Sequence, residues 1–448
     1  MPKFYLVTLG CPKNVVDSEG IHRQMEQAGF RAVDSPRRAD VLIVNTCGFI
    51  GDALDESIKV LNELAQGKRK GQSLIAAGCL GERDGEALLR RVKGIDAILG
   101  TRRWAEVARL AGQMRTARAP LVWTGDPDNA AFGVWCEESP MPRLGHQGSA
   151  YLKIADGCSA PCAFCTIPLI KGPFRSRRAE AILDEAAALA ASGARELILI
   201  AQDTTSYGRD LGERSLPELL RMLSARVPVV KWIRLMYAYP QFVTPALVEA
   251  MASLPNVCHY LDMPLQHAHP GVLRRMRRPD DTDAVRGLLA SIREAMPDAA
   301  LRTTFIVGYP GETEAEFQTL LDFMGEARFD RVGVFRFSPE AGTPATGFPN
   351  QISDEVKQAR YERAMALQQG ISLARNLTFV GQEMDALVDG YGDGLSVGRT
   401  YRDAPEIDGM VLISGQAAVG EFTRVRITGA MEYDLAGEIV PTLSNPRG

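Results

Sequence analysis

The stretch Asp156-Gly-Cys158-Ser-Ala-Pro-Cys162-Ala-Phe-Cys165 places three thiols within eight residues, directly after the strand-like run Tyr151-Leu-Lys-Ile-Ala155. A loop this tight, narrowed further by Pro161, can turn three sulfurs onto one face of a metal site. Three thiolates can hold three irons of a four-iron cluster and leave the fourth without a protein ligand. That open iron is a place for substrate or cofactor, so the loop reads as catalytic rather than as an electron relay. Zinc is the main competing reading. A structural zinc site closes with four ligands, yet no histidine or fourth cysteine follows within the loop, and His146 lies twelve residues before Cys158. A disulfide with a spare thiol is the third reading, and it needs an oxidising compartment.

Composition narrows the compartment. The 448 residues suffice for two to four domains, and 46% hydrophobic with 24% charged residues is ordinary for a globular chain. A formal net charge of −4 gives no whole-chain case for non-specific nucleic-acid binding. The opening Met1-Pro-Lys-Phe-Tyr-Leu-Val-Thr-Leu-Gly-Cys11 lacks the pattern of a signal peptide, and no run approaches the ~18 apolar residues of a membrane span. The expectation is a cytoplasmic metalloprotein whose eight cysteines serve metal or redox chemistry.

Residues 1–120 alternate apolar strand runs with helical patterns, which predicts a parallel, helix-covered α/β sheet. Cys11, Cys47 and Cys79 each stand just past one of those runs. In a parallel sheet the carboxyl ends of the strands share one edge, so the three thiols can converge there as a second three-thiolate set. The alternative is three unrelated core cysteines. Residues 121–146 are rich in turns and proline and read as a linker, with Cys136 unassigned.

From 147 to 371 six β/α units repeat, predicting a partial (β/α)6 barrel with functional loops at the carboxyl ends of its strands. Gln202-Asp-Thr-Thr-Ser-Tyr-Gly208, Pro264-Leu-Gln-His267 and Gly308-Tyr-Pro-Gly311 occupy such ends. His259, His267 and His269 read as hydrogen-bonded loop or core residues, and the run Arg274-Arg275-Met-Arg277-Arg278 as a solvated helix face. The basic stretch Lys171-Gly-Pro-Phe-Arg-Ser-Arg-Arg178 fits a phosphate-bearing or acidic partner about as well as plain solvation. From 372 to 448, short strands between glycine and aspartate turns predict a small antiparallel β-barrel. From Leu377 onward, five arginines and no lysine stand against eleven acidic residues. Such a barrel repels a phosphate backbone, so direct nucleic-acid binding is not favoured and a basic protein partner is expected.

Taken together, the Cys158-x3-Cys162-x2-Cys165 loop on a β/α barrel resembles the radical S-adenosylmethionine (SAM) enzymes. Cys11, Cys47 and Cys79 ahead of it and a terminal β-barrel behind resemble the methylthiotransferases, whose last domain is called TRAM. Within them, Gln202–Gly208 and Gly398-Arg-Thr-Tyr-Arg-Asp-Ala-Pro-Glu-Ile-Asp-Gly409 are similar to the RimO branch. The resemblance implies methylthiolation of an aspartate β-carbon in small-subunit ribosomal protein twelve, free or within the assembled subunit. It implies two 4Fe-4S clusters, on Cys158/Cys162/Cys165 and Cys11/Cys47/Cys79, together with SAM and a low-potential electron donor. It also makes Phe164 a neighbour of the adenine, and Gln202 and Gln266 cofactor contacts. Lys171 departs from the arginine that relatives more often carry at that place. The alternatives are a MiaB-like transfer-RNA adenosine methylthiotransferase and a non-catalytic iron–sulfur carrier.

Overall fold

The four-residue apolar core of β3, Val41-Leu-Ile-Val44, cannot turn one face to water, and all six residues of that strand (Val41–Thr46) are buried. It lies at the centre of a six-stranded parallel sheet in a computed structural model that describes residues 1–114, 116–125, 148–212 and 215–441. The other strands are β1 (Lys3–Thr8), β2 (Arg31–Ala32), β4 (Ser73–Gly78), β5 (Ala97–Gly100) and β6 (Leu121–Trp123), in the order β2-β1-β3-β4-β5-β6. Helices α1 (Pro12–Gln27), α2 (Gly51–Gln66) and α3 (Cys79–Asp84) follow β1, β3 and β4. The sheet runs past the expected boundary at residue 120, because β6 pairs parallel with β5. Three residues are too few for periodicity to reveal an edge strand. Of the expected linker, residues 126–146, including Cys136 and His146, lie outside the described residues.

A second parallel sheet follows, of β7 (Gly148–Lys153), β10 (Ala194–Ile200), β11 (Trp232–Leu235), β12 (Val257–Asp262), β13 (Ala300–Val307) and β14 (Arg331–Arg336). Its order is β14-β13-β12-β11-β10-β7, an open half-barrel. A two-stranded hairpin, β8 (Ala155–Asp156) with β9 (Arg175–Ser176), brackets the three-cysteine loop. Alternate residues point to opposite faces. Leu197, Leu199 and Phe305 pack under the outer helices. Ile198, Ile200, Trp232 and Met236 face the concave side, where Val16, Ile21 and Trp104 of the first domain and Leu387 and Ala404 of the third complete the core.

The third unit is a closed barrel of β15 (Glu383–Gly392), β16 (Leu395–Arg399), β17 (Val411–Ser414), β18 (Phe422–Ala430) and β19 (Leu435–Ile439). Its pairings are antiparallel except β17 with β19. The boundary expected at 371 falls inside the helix Asp354–Leu377, which serves both sides. Near its end Arg375 pairs with Asp330 of the half-barrel at 2.9 Å, and Asn376 donates to the Met431 carbonyl at 3.0 Å. No helix among the described residues is long and apolar enough to cross a membrane.

The stretch 398–409 docks this barrel onto the concave face. Arg399 bonds Glu196 at 2.9 Å, and Arg234 bonds the same carboxylate at 2.7 Å. Arg402 meets Asp330 at 2.8 Å, and Asp403 accepts from Arg331 at 2.6 Å. Asp408 accepts from the Tyr260 hydroxyl at 2.6 Å and from Arg302 at 3.2 Å. Burial pushes Glu196 upward, but Arg234 and Arg399 outweigh it and hold the carboxylate down at about 2.

Candidate functional site

Strands β1, β3 and β4 are adjacent, so their carboxyl ends bring Cys11, Cys47 and Cys79 to one edge. Cys11 caps α1, and Cys79 opens α3. Glycines make the approach possible. Gly10 has φ +88°, and a Cβ there would lie 2.6 Å from the Cys47 Cβ. Gly78, at φ +92°, would collide with Asn45 and Thr46 in the same way. Asn14 braces the edge by donating to the Leu9 and Thr46 carbonyls at 2.8 and 3.0 Å, and its side-chain oxygen is 3.7 Å from the Cys79 sulfur. Burial pushes the Cys79 thiol up to about 12, with Cys11 and Cys47 close enough to add to the rise. A metal bound at this edge would have to displace that proton.

The second set lies in the loop between β8 and the short helix Ile167–Lys171. The Cys158 amide donates to the Gly172 carbonyl at 3.1 Å, and the Cys165 amide to Cys162 at 3.2 Å. Gly157, at φ +77°, lets the loop pass against Pro173, whose carbonyl a Cβ would meet at 2.1 Å. Burial pushes the Cys165 thiol up to about 12. Among the described residues no three His, Cys, Asp or Glu side chains are grouped to hold a single metal ion. A four-iron cluster makes a different demand, since each thiolate takes its own iron. Each set, three thiols in mutual electrostatic contact, suits that group in donor type and number. Cys258 is buried in β12, outside both sets.

The two sets are tied to each other. Thr166, next to Cys165, places its hydroxyl 3.5 Å from the carbonyl of Phe49, two residues past Cys47. Lys171 donates to Asp17 of α1 at 2.9 Å and to Thr101 at 2.7 Å, and lies 3.4 Å from Asp156. Lys153 contacts the same two carboxylates. All four charged side chains are almost wholly buried. Burial pushes Asp156 up, but the two ammoniums outweigh it and hold it well below the usual carboxylate range. On the far side, Glu340 of the half-barrel accepts from Arg83 at 2.8 Å and from the Gly51 amide at 2.9 Å. Between these ties sits Lys13, buried, with its ammonium 3.1 Å from the ring centre of Tyr237. Burial lowers it to about 8, opposed by Cys11, Asp262 and Asp156.

The remaining sequence candidates are placed as follows. Gln202 donates to Asp156 at 2.7 Å, and its buried side-chain oxygen has no hydrogen-bond partner among the described residues. Gln266 has φ +74° and stitches its backbone to Thr304 and Ile306 of β13. Phe164 packs against Val272, Met276, Tyr309 and Phe337. His259 and His267 bond Asp298 and Glu312 at 2.6 and 3.0 Å, and His269 caps the next helix, so the histidines are hydrogen-bonded loop and core residues. Both basic stretches need correction. Lys171 and Arg177 are buried and paired inside the chain, the latter with Glu185 at 2.8 Å. Arg278 does not simply face water: it reaches the Cys162 sulfur at 3.5 Å and the Pro264 carbonyl at 2.7 Å, and stacks 4.4 Å from the ring centre of Tyr239. Lys13, Asp17, Lys153 and Asp156 are given no role by the sequence, and Arg278 only that of a solvated residue. Only the nearness of Lys13 to Cys11, and of Asp156 to Cys158, could have drawn attention to them.

Comparison with known proteins agrees with this architecture. Residues 3–100 match the uncharacterized protein family UPF0004, residues 152–324 the radical SAM superfamily, and residues 380–440 the TRAM domain. The ribosomal protein uS12 methylthiotransferase RimO of Herpetosiphon aurantiacus is 51% identical, over 98% of this chain and 100% of its own length. Those of Chloroflexus aurantiacus and Geobacter sulfurreducens are 49% and 44% identical, over 97% and 98% of this chain and 99% and 98% of their own lengths. Among solved structures, the radical SAM methyltransferase TsrM from Kitasatospora setae, with tryptophan and a SAM analogue bound, superposes with a TM-score of 0.59 at 14% identity. That match covers 83% of this chain and 89% of TsrM. The cobalamin-dependent SAM radical enzyme OxsB gives a TM-score of 0.54 at 12% identity over 83% of this chain and 56% of its own. At such identities these two likenesses speak for fold alone.

Proposed function

The chain belongs to the RimO family of ribosomal protein uS12 methylthiotransferases, and from that premise we propose how its six cysteines and their neighbours divide the reaction. It is a radical SAM enzyme that places a methylthio group on the β-carbon of an aspartate in small-subunit ribosomal protein twelve. In our reading Cys158, Cys162 and Cys165 hold the cluster that binds SAM, and Cys11, Cys47 and Cys79 hold a second cluster. When bound, the first supplies the electron that splits SAM to a deoxyadenosyl radical, and the second supplies an iron that carries sulfur.

The chain's own residues do the positioning. Arg278 sets a fixed positive charge against the Cys162 sulfur, where it steadies the charge of a reduced site. Gln202, anchored on Asp156 with one oxygen unused, and Phe164 and Gln266 on the neighbouring loops are the proposed cofactor contacts. The buried lysine–aspartate network fixes the first domain on the barrel mouth, so that the two cysteine sets keep one distance. The observation that carries this reading is the pair of ties between the sets, Thr166 to Phe49 and Lys171 to Asp17.

The acidic barrel supports a basic protein partner. Arg399 and Arg402 are spent in docking, and Arg424 and Arg426 lie against Asp385 and Glu383. We place the reaction in the cytoplasm, on the free protein or the assembled subunit, with a low-potential electron donor. The test is anaerobic reaction of the reconstituted enzyme with the ribosomal substrate and mass analysis of the aspartate-containing peptide. A methylthio mass gain is expected; SAM cleavage with no gain overturns the proposal. Replacing Cys11, Cys47 and Cys79 by alanine should remove about half the iron and spare SAM cleavage. Replacing Cys158, Cys162 and Cys165 should remove the other half and abolish cleavage.

A further inference from the structure

Lys13 is a cation in a place that three physical effects disfavour. Its side chain is 9% exposed, so its ammonium has lost most of its water. It stands in the first turn of the sixteen-residue α1, at the positive end of the helix dipole, in a turn with no acidic residue. Among the described residues it makes no hydrogen bond or ion pair; its one close polar contact is the face of Tyr237. Tyr237 itself is held in a left-handed backbone conformation, φ 61°, by its amide on Asp262 and its carbonyl on Thr204. A buried, unpaired charge and a strained aromatic beneath it are the marks of a site built for something absent from the chain.

The neighbouring charges are already committed. Asp156 and Asp17 are shared by Lys153 and Lys171, and Asp262 receives Arg302 at 2.8 Å. The missing partner is an anion that arrives from outside. Its position narrows the choice, because Lys13 is two residues from Cys11 and Tyr237 stands just past the carboxyl end of β11. The space between the first cysteine set and the barrel mouth is where a target carbon must sit, between the sulfur and the radical.

Resting on the functional reading above, we infer that Lys13 binds the side-chain carboxylate of the target aspartate and so selects an acidic residue as substrate. The carboxylate is one bond from the β-carbon, so holding it there presents that carbon to the edge carrying Cys11. An adenosine has no carboxylate to offer. The methionine carboxylate of SAM has the same chemistry, and the test separates the two sources.

The experiment measures equilibrium binding of small-subunit ribosomal protein twelve to the iron-loaded enzyme, with the target aspartate intact or changed to asparagine. Wild-type enzyme should prefer the aspartate form by roughly tenfold or more, the worth of one buried charge-assisted bond. Lys13→Met should lose that preference and bind both forms alike, with the iron content unchanged. Three results overturn the inference: equal binding of both forms by the wild type, a preference that survives in Lys13→Met, or a variant whose loss is confined to SAM affinity or iron. The mass-gain assay on the wild type reports separately on the reaction, so failure of the functional reading is seen there.

Discussion

The half-barrel meets the small β-barrel on its concave face and the first domain at its mouth, and both seams are made of buried charge. On the concave face each cation has a carboxylate: Arg234 and Arg399 on Glu196, Arg331 on Asp403, Arg402 on Asp330, Arg302 on Asp262 and Asp408. At the mouth Lys153 and Lys171 share Asp17 and Asp156, and Lys13 is left over. Matched buried pairs add little net stability over apolar packing, yet they cost much to break, and they fix orientation. The difference teaches what each seam is for. One holds the small barrel at a set angle; the other holds two cysteine sets together and keeps one charge in reserve for a ligand.

The sharpest way to break the mouth is to remove the carboxylate that both lysines use. Asp17→Ala leaves two almost fully buried ammoniums facing Asp156 alone. Breaking a buried pair costs about 3–5 kcal/mol, and this change weakens two at once, so the upper end is expected. Urea unfolding would read it, as a lower midpoint with an unchanged slope. A loss under about 1 kcal/mol would mean that the network is not what fixes the first domain.

The corresponding change on the concave face is Glu196→Gln, which leaves Arg234 and Arg399 with one carboxylate fewer. About 3 kcal/mol is expected, with faster hydrogen exchange in β15 and β16 as the small barrel loosens. The same carboxylate gives this seam an acid limit. Its folded value of about 2 lies below an unfolded value near ~4.3, so its contribution is complete above the unfolded value and fades as pH falls toward 2. Wild-type stability should therefore fall across that window more steeply than that of Glu196→Gln. Parallel pH curves would rule out Glu196 as the acid-sensitive group.

How much of this was legible beforehand follows the reach of each signal. The loop Cys158–Cys165 is local, and Cys11, Cys47 and Cys79 became a set once parallel strands were read behind them, because strand order puts β1, β3 and β4 side by side. The lysine–aspartate network was hidden, since Asp17 and Lys153 are 136 residues apart and nothing in either neighbourhood names the other. Charge counting misled in the same way. Arg399 and Arg402 entered the sum for the small barrel's surface, whereas both are buried against the half-barrel. Arg278 looked solvated because four arginines crowd five positions; the helix stops at Arg275, and the turn after it brings Arg278 onto Cys162. Lys171 read as part of a basic surface stretch, whereas its bonds to Asp17 and Thr101 bury it in the seam with the first domain.

The smallest expected stability effect is the one that sharpens the comparison most. Lys13→Met removes a buried charge, as the other two changes do, but it leaves no counter-ion stranded. The loss is a cation–π contact with Tyr237, about 1–2 kcal/mol when desolvated. The gain is relief from burying an ammonium at the positive end of α1, together with a methionine of similar length that packs in its place. These offset each other, so the unfolding midpoint should stay within about 1 kcal/mol of wild type, or rise. A loss of the size expected for Asp17→Ala would show that Lys13 is paired within the fold after all, and that the surplus at the mouth is not real. A midpoint that holds while the aspartate preference disappears would separate a charge kept for binding from charges kept for structure.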